Sequence, residues 1–139
     1  MRPGARLDST PKLEGVTDQA PESVYSLYQR GMSLLESGDY DQATVSLGKA
    51  ARLAPDKISI REALGRAYFR SRRFPQAAEE FEAVVERYPV NDFAHFCLGR
   101  ALDLSGRPDR ARRHLAIAAN LRPERSDYRI YRERLAKRA

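Results

Sequence analysis

The chain has 139 residues, with 25 Lys and Arg against 19 Asp and Glu for a formal charge of +6, and 42% of its residues are hydrophobic. That is the length and composition of one small folded domain. Its lone cysteine, Cys97, excludes an internal disulfide and fits a reducing, cytoplasmic setting, while no apolar run approaches the ~18 residues of a membrane span and no apolar stretch follows Arg2 and Arg6 as a secretory leader requires.

Residues 1–22 are polar and interrupted by Pro3, Gly4, Pro11, Gly15 and Pro21, with no sustained periodicity; a disordered tail is expected there. The folded domain is expected over residues 23–139. From residue 24 the chain repeats itself. Gly31, Gly65 and Gly99 stand 34 residues apart, as do Ala43, Ala77 and Ala111, and Pro55, Pro89 and Pro123, which is the period of a helix-turn-helix solenoid. The first unit, 24–57, breaks at Ser37-Gly38-Asp39, where Asp39 and Gln42 have the spacing of an N-cap and its capping-box partner. In the units 58–91 and 92–125, Pro75 and Pro108 fall in the first turn of the second helix, where a missing N–H costs little. A Pro then ends each unit. The mid-helix glycines each cost about 1 kcal/mol relative to Ala. Their regular placement predicts that a second helix crosses too closely for a Cβ, with the repeated alanines as the facing small residues.

The apolar positions keep the same beat: Leu47, Phe81 and Leu115; Leu34, Tyr68 and Leu102; Ala50, Val84 and Ala118; and Tyr40 and Phe74, with Pro108 as the third member. After Pro123, Ser126 is placed to cap a seventh helix, 126–138, whose Tyr128, Tyr131 and Leu135 share one face while most of Arg129, Arg132, Arg134, Lys137 and Arg138 share the other. A solenoid needs such an amphipathic end piece to cover its last repeat.

This pattern resembles the tetratricopeptide repeat family, with its Gly in the first helix, its Ala and large apolar residue in the second, and its closing Pro. The resemblance covers residues 24–125 without insertion and implies an all-α solenoid, a right-handed superhelix of about seven helices. It departs at the position four before the Gly, often a large aromatic in the family, which here is Leu27, Arg61 and His95. The resemblance also implies a concave groove lined by the first helices, at Tyr25, Tyr28, Met32 and Leu35 in the first copy, Glu62, Arg66, Phe69 and Arg70 in the second, and Phe93, Phe96, Arg100 and Asp103 in the third. Chaperone-binding members hold a C-terminal carboxylate with two Lys, two Asn and an Arg. The matching places here are Tyr28, Met32, Ala63, Phe93 and Cys97, so a chaperone C-terminus is not the expected ligand.

Aromatic residues and arginines are enriched at binding hot spots. The expected activity is therefore that of a non-catalytic protein-protein interaction scaffold, whose groove takes a peptide with apolar and acidic side chains. The competing local contacts are Glu62 with Arg66, Asp103 with Arg107, and aromatic residues covered by the N-terminal tail. Residues 100–139 carry 12 Lys and Arg against 5 Asp and Glu, and residues 1–99 carry 13 against 14, so all the positive excess lies toward the C-terminal end. That end offers a second partner class, RNA or another polyanion, although no nucleic-acid motif accompanies it. Self-association through Tyr25, Tyr28, Met32 and Leu35 is a third reading.

Chemistry finds little footing. His95 and Cys97 are two residues apart and diverge on a helix, and with His114 they supply neither metal spacing nor a Cys-His nucleophile. Cys97 reads as a small packed hydrophobe. Glu79, Glu80, Glu82 and Glu86 read as a solvated face, and the isolated glycines form no phosphate loop. No catalytic residue, cofactor, metal or membrane partner is expected.

Overall fold

A glycine in the first helix of each 34-residue unit lets the second helix cross it closely, and the architecture grows from that repeated crossing. The computed structural model describes residues 23–138; the expected tail at 1–22 lies outside them. Among the described residues there are seven helices and no strand: α1 Val24–Ser37, α2 Tyr40–Leu53, α3 Ile58–Arg70, α4 Phe74–Arg87, α5 Asp92–Leu104, α6 Pro108–Leu121 and α7 Ser126–Arg138. Each helix packs on the next, and α1 also touches α3, the contact pattern of a stack of antiparallel pairs.

The close crossings form as expected, but the residues that fill them differ from the expectation. Ala43, Ala77 and Ala111 are fully buried, yet the atoms facing the missing Cβ belong to Leu47, Phe81 and Leu115, sixteen residues beyond each glycine. A Cβ on Gly65 would stand 2.8 Å from Phe81 Cε2, and one on Gly99 would stand 2.7 Å from Leu115 Cγ. A large side chain fills the gap more completely than an alanine would, because it lies across the bare backbone.

Helix entry also departs in two places. Ser23 and Asn91 cap α1 and α5, accepting from Ser26 N and Ala94 N at 3.0 Å, and Pro75 and Pro108 open α4 and α6. Asp39 stands at the cap position of α2, but its carboxylate takes no backbone N–H. It accepts instead from Ser37 Oγ at 2.9 Å. Ser126 is the first helical residue of α7 rather than its cap. The turn closed by Arg125 N on Arg122 O matches those before α3 and α5, so α7 starts at the same register as they do, and Asp127 accepts from Tyr128 N.

Each pair turns between its helices through a left-handed residue at one register position: Gly38 (φ 87), Arg72 (φ 66) and Gly106 (φ 81). Buried side chains form two clusters, both packed against Tyr68. The end helix completes the second cluster with Tyr128 and Leu135, both buried, and with half-buried Tyr131. Tyr128 also donates its hydroxyl to Asp92 Oδ2 at 2.6 Å, fastening α7 to the start of α5.

Candidate functional site

The first helices α1, α3 and α5 together bound a cavity of about 490 Å³. Of the residues expected there, Met32 and Leu35 come from α1, Arg66, Phe69 and Arg70 from α3, and Phe93, Phe96 and Arg100 from α5. Tyr25, Tyr28, Glu62 and Asp103 do not line it. Tyr25 is 72% exposed and Tyr28 packs against the first core cluster. Glu62 accepts from Asn91 Nδ2 at 2.9 Å, and Asp103 pairs with Arg138 of the end helix. The local pairs Glu62 with Arg66 and Asp103 with Arg107 are thus replaced by longer-range partners.

Glu36, Tyr40, Phe81 and Cys97 also line the cavity, and sequence reasoning missed them as groove residues. Phe81 lies on a second helix; its ring reaches across Gly65, which has no side chain to stop it. The signal was present in the sequence as a small residue paired with a large one at a fixed offset. Cys97 is half-buried rather than fully packed. Burial pushes its thiol up to about 12, against the opposing pull of Arg100, so the sulfur stays protonated and unreactive at neutral pH.

The guanidinium groups are held by rings. Arg100 lies between Phe69 and Tyr131, with Cζ 5.0 and 4.5 Å from their centroids. Arg70 stands 4.6 Å over the Tyr40 ring and also donates to its hydroxyl. Cation–π contacts of this kind orient a guanidinium without neutralising it. Among the described residues no carboxylate pairs with Arg66, Arg70 or Arg100.

Away from the groove, His95, expected to diverge from Cys97 along its own helix, meets His114 of the next helix. His95 on α5 and His114 on α6 are both buried, with Nδ1 atoms 3.0 Å apart, and His95 Nε2 lies 2.8 Å from Pro89 O. A carbonyl only accepts, so a hydrogen sits on His95 Nε2, and when both rings are neutral His95 Nδ1 accepts the Nδ1–H of His114. Burial first, and His95 second, lower the His114 pKa to about 4. One repeat earlier the same two positions hold Arg61 and Glu80, paired at 3.0 Å, with Arg61 Nε donating to Pro55 O at 3.2 Å. Burial raises the Glu80 pKa even with Arg61 beside it. Glu80 and Glu82, which bonds Arg110 at 2.7 Å, therefore bridge helices. Only Glu79 and Glu86 fit the expectation of a solvated face.

At the basic end Arg110, Arg112, Arg122, Arg125 and Arg138 all have carboxylate partners. No group of three or more His, Cys, Asp or Glu converges among the described residues, and none of their helices is long and apolar enough to cross a membrane.

A tetratricopeptide repeat family model matches residues 62–132, and a second matches residues 24–57. A search of the curated proteins gave no match. Among solved structures, MamA from Desulfovibrio magneticus RS-1 (residue 41 to its end) superposes with a TM-score of 0.81 at 26% identity, covering 84% of this chain and 66% of that one. MamA of MSR-1 gives 0.78 at 29% identity, with 84% and 67% covered. The chain therefore spans about two thirds of the length of these relatives. The first tetratricopeptide unit of Spaghetti (RPAP3), bound to the HSP90 peptide SRMEEVD, gives 0.76 at 18% identity, with 82% and 90% covered; it shares the fold.

Proposed function

The chain belongs to the tetratricopeptide repeat family, and from that premise we propose that it is a non-catalytic interaction module whose concave groove binds a peptide segment carrying apolar side chains and at least one carboxylate. The observation that carries this reading is the set Arg66, Arg70 and Arg100, lining one cavity without a carboxylate partner among the described residues, beside Met32, Leu35, Phe69, Phe93 and Phe96. A guanidinium accepts a carboxylate through two parallel N–H donors. Aromatic walls bury apolar side chains at low entropy cost. The solved Spaghetti unit holds a peptide containing two adjacent Glu residues and a terminal Asp, which supports acidic peptides as ligands of this fold.

The basic end draws less support as a polyanion site, because five of its arginines are already neutralised by carboxylates. Self-association through α1 draws less as well, since Leu35 is buried and Tyr28 and Met32 are half-buried.

Panning the full chain against a random peptide library tests the groove reading. The expected enrichment is in sequences that combine aromatic or aliphatic residues with Asp or Glu. Calorimetry with an enriched peptide should then show affinity falling about tenfold or more in the double variant Arg66→Ala/Arg100→Ala. Unchanged affinity in a variant that keeps its thermal stability would overturn the reading.

A further inference from the structure

The end helix continues the register of the groove. Met32, Arg66, Arg100 and Arg134 stand 34 residues apart, on α1, α3, α5 and α7 in turn. Tyr131 joins the last two: its ring centroid is 4.5 Å from Arg100 Cζ and 5.5 Å from Arg134 Cζ. Phe69, Arg100, Tyr131 and Arg134 thereby form an alternating stack of rings and guanidinium groups. Arg100 also lines both the main cavity and a smaller one of about 170 Å³, bounded by Tyr131, Arg134 and Leu135. The concave surface therefore runs past the third repeat without a break.

We propose that α7 serves as a further rung of the binding surface as well as a cover for the core, and that Arg66, Arg100 and Arg134 together bind an extended acidic peptide whose carboxylates recur at every third residue. This rests on the groove reading above and adds the occupant's charge pattern. None of the three arginines pairs with a carboxylate among the described residues, so each fork is available to a ligand.

Spacing selects the pattern. The shared Tyr131 ring keeps the Arg100 and Arg134 charges within about 10 Å of each other. A peptide in polyproline-II conformation rises about 3.1 Å per residue with three residues per turn, so every third side chain returns to one face at an interval within that reach. Met32 occupies the same register place in the first copy, which leaves that end of the groove to an apolar side chain.

A nucleic-acid strand fits less well. The faces of Phe69 and Tyr131 toward Arg100 are covered by its guanidinium and are closed to bases.

Fluorescence anisotropy with the full chain tests the proposal, using two labelled synthetic peptides of identical composition and a single-stranded oligonucleotide. One peptide carries Asp at every third position and the other carries the same Asp residues at every second. The third-position peptide should bind about tenfold more tightly than its isomer. Arg134→Ala should remove most of that difference with little change in thermal stability, and Arg134→Lys, which keeps the charge without the fork, should fall between. Equal affinity of the isomers, or an Arg134→Ala variant that binds like the parent, overturns the inference. Tighter binding of the oligonucleotide overturns it in favour of a polyanion site. If both isomers bind equally but lose affinity together in Arg66→Ala/Arg100→Ala, or if only library-selected peptides bind, the groove reading stands and the charge pattern falls.

Discussion

His95 and His114 face each other through their Nδ1 atoms at 3.0 Å, buried between α5 and α6, in the slot that Arg61 and Glu80 occupy one repeat earlier. In the first copy the matching residues are Leu27 and Ser46, both buried. One structural position thus carries an apolar and hydroxyl combination, an ion pair and an imidazole pair, and the three respond differently to pH and to substitution.

The imidazole pair makes stability depend on pH. The His114 pKa is lowered to about 4 in the folded protein, against an unfolded value near 6.5, so between these the unfolded chain binds more protons. The contribution is fully present above about pH 6.5 and is lost as pH falls toward 4. Glu82 opposes the shift, while Arg110 and Arg113 reinforce it. Glu80, with its raised pKa, acts in the opposite sense, contributing at low pH and fading as pH rises. The two effects separate by comparison with His95→Leu/His114→Ser, which copies the Leu27 and Ser46 pair. Denaturant unfolding at pH 7 and pH 4 should show the parent losing on the order of 1–2 kcal/mol more than this variant; equal losses would refute the assignment.

The ion pair should behave as a unit. Arg61 and Glu80 are only 29% and 15% exposed, so Arg61→Leu alone strands a partly buried carboxylate and should cost about 2 kcal/mol or more at neutral pH. Adding Glu80→Ser removes the stranded charge. A double-mutant cycle by urea unfolding should find the pair of changes less damaging than Arg61→Leu alone, and strict additivity would show that the two residues do not interact.

Glycines of two kinds predict opposite signs. Gly99→Ala gains about 1 kcal/mol of helix propensity, but its Cβ meets Leu115 Cγ at 2.7 Å and the Leu115 backbone nitrogen at 3.2 Å. Overpacking of this sort costs about 1–3 kcal/mol, so the net effect should be a lower Tm. At Gly48 the nearest neighbour of an added Cβ is an Arg52 side-chain nitrogen at 3.7 Å. There Ala should raise stability by about 0.5–1 kcal/mol. Calorimetric melting of both variants checks the contrast.

Arg72 holds a left-handed conformation that its register partners assign to glycine. A side chain there costs roughly 1–2 kcal/mol, offset in part by its guanidinium 5.3 Å over the Phe74 ring. Arg72→Gly should therefore be stabilising by about 0.5–1 kcal/mol in chemical denaturation. A destabilised variant would mean that the ring contact outweighs the backbone strain.

Legibility followed physical range. The glycine crossings announced themselves because a mid-helix glycine at a fixed period needs a packing cause, yet the identity of the filler, Leu47, Phe81 or Leu115, depended on how far a side chain reaches over bare backbone. Register placed Met32, Arg66, Phe69 and Arg100 on one surface. It could not say that Glu62 would turn to Asn91, or Asp103 to Arg138, because charged side chains are long and choose among partners on neighbouring helices. The histidines show the same limit: two positions nineteen residues apart converge only when two helices fold back together, although Arg61 and Glu80 carry a charge-complementary trace of that offset.

The resemblance implied the side of the molecule on which the aromatic and arginine residues collect, while the sequence by itself determined the repeated helix pairs, through the 34-residue beat, and the amphipathic end helix, through the spacing of Tyr128, Tyr131 and Leu135. Those features follow from backbone conformation and periodic burial, which are written locally. Tertiary structure alone decided which guanidinium lies between which rings, which carboxylates are already satisfied, and that Tyr131 carries the groove onto α7. These depend on side-chain reach across a helix interface, where a few ångströms separate a paired charge from a free one.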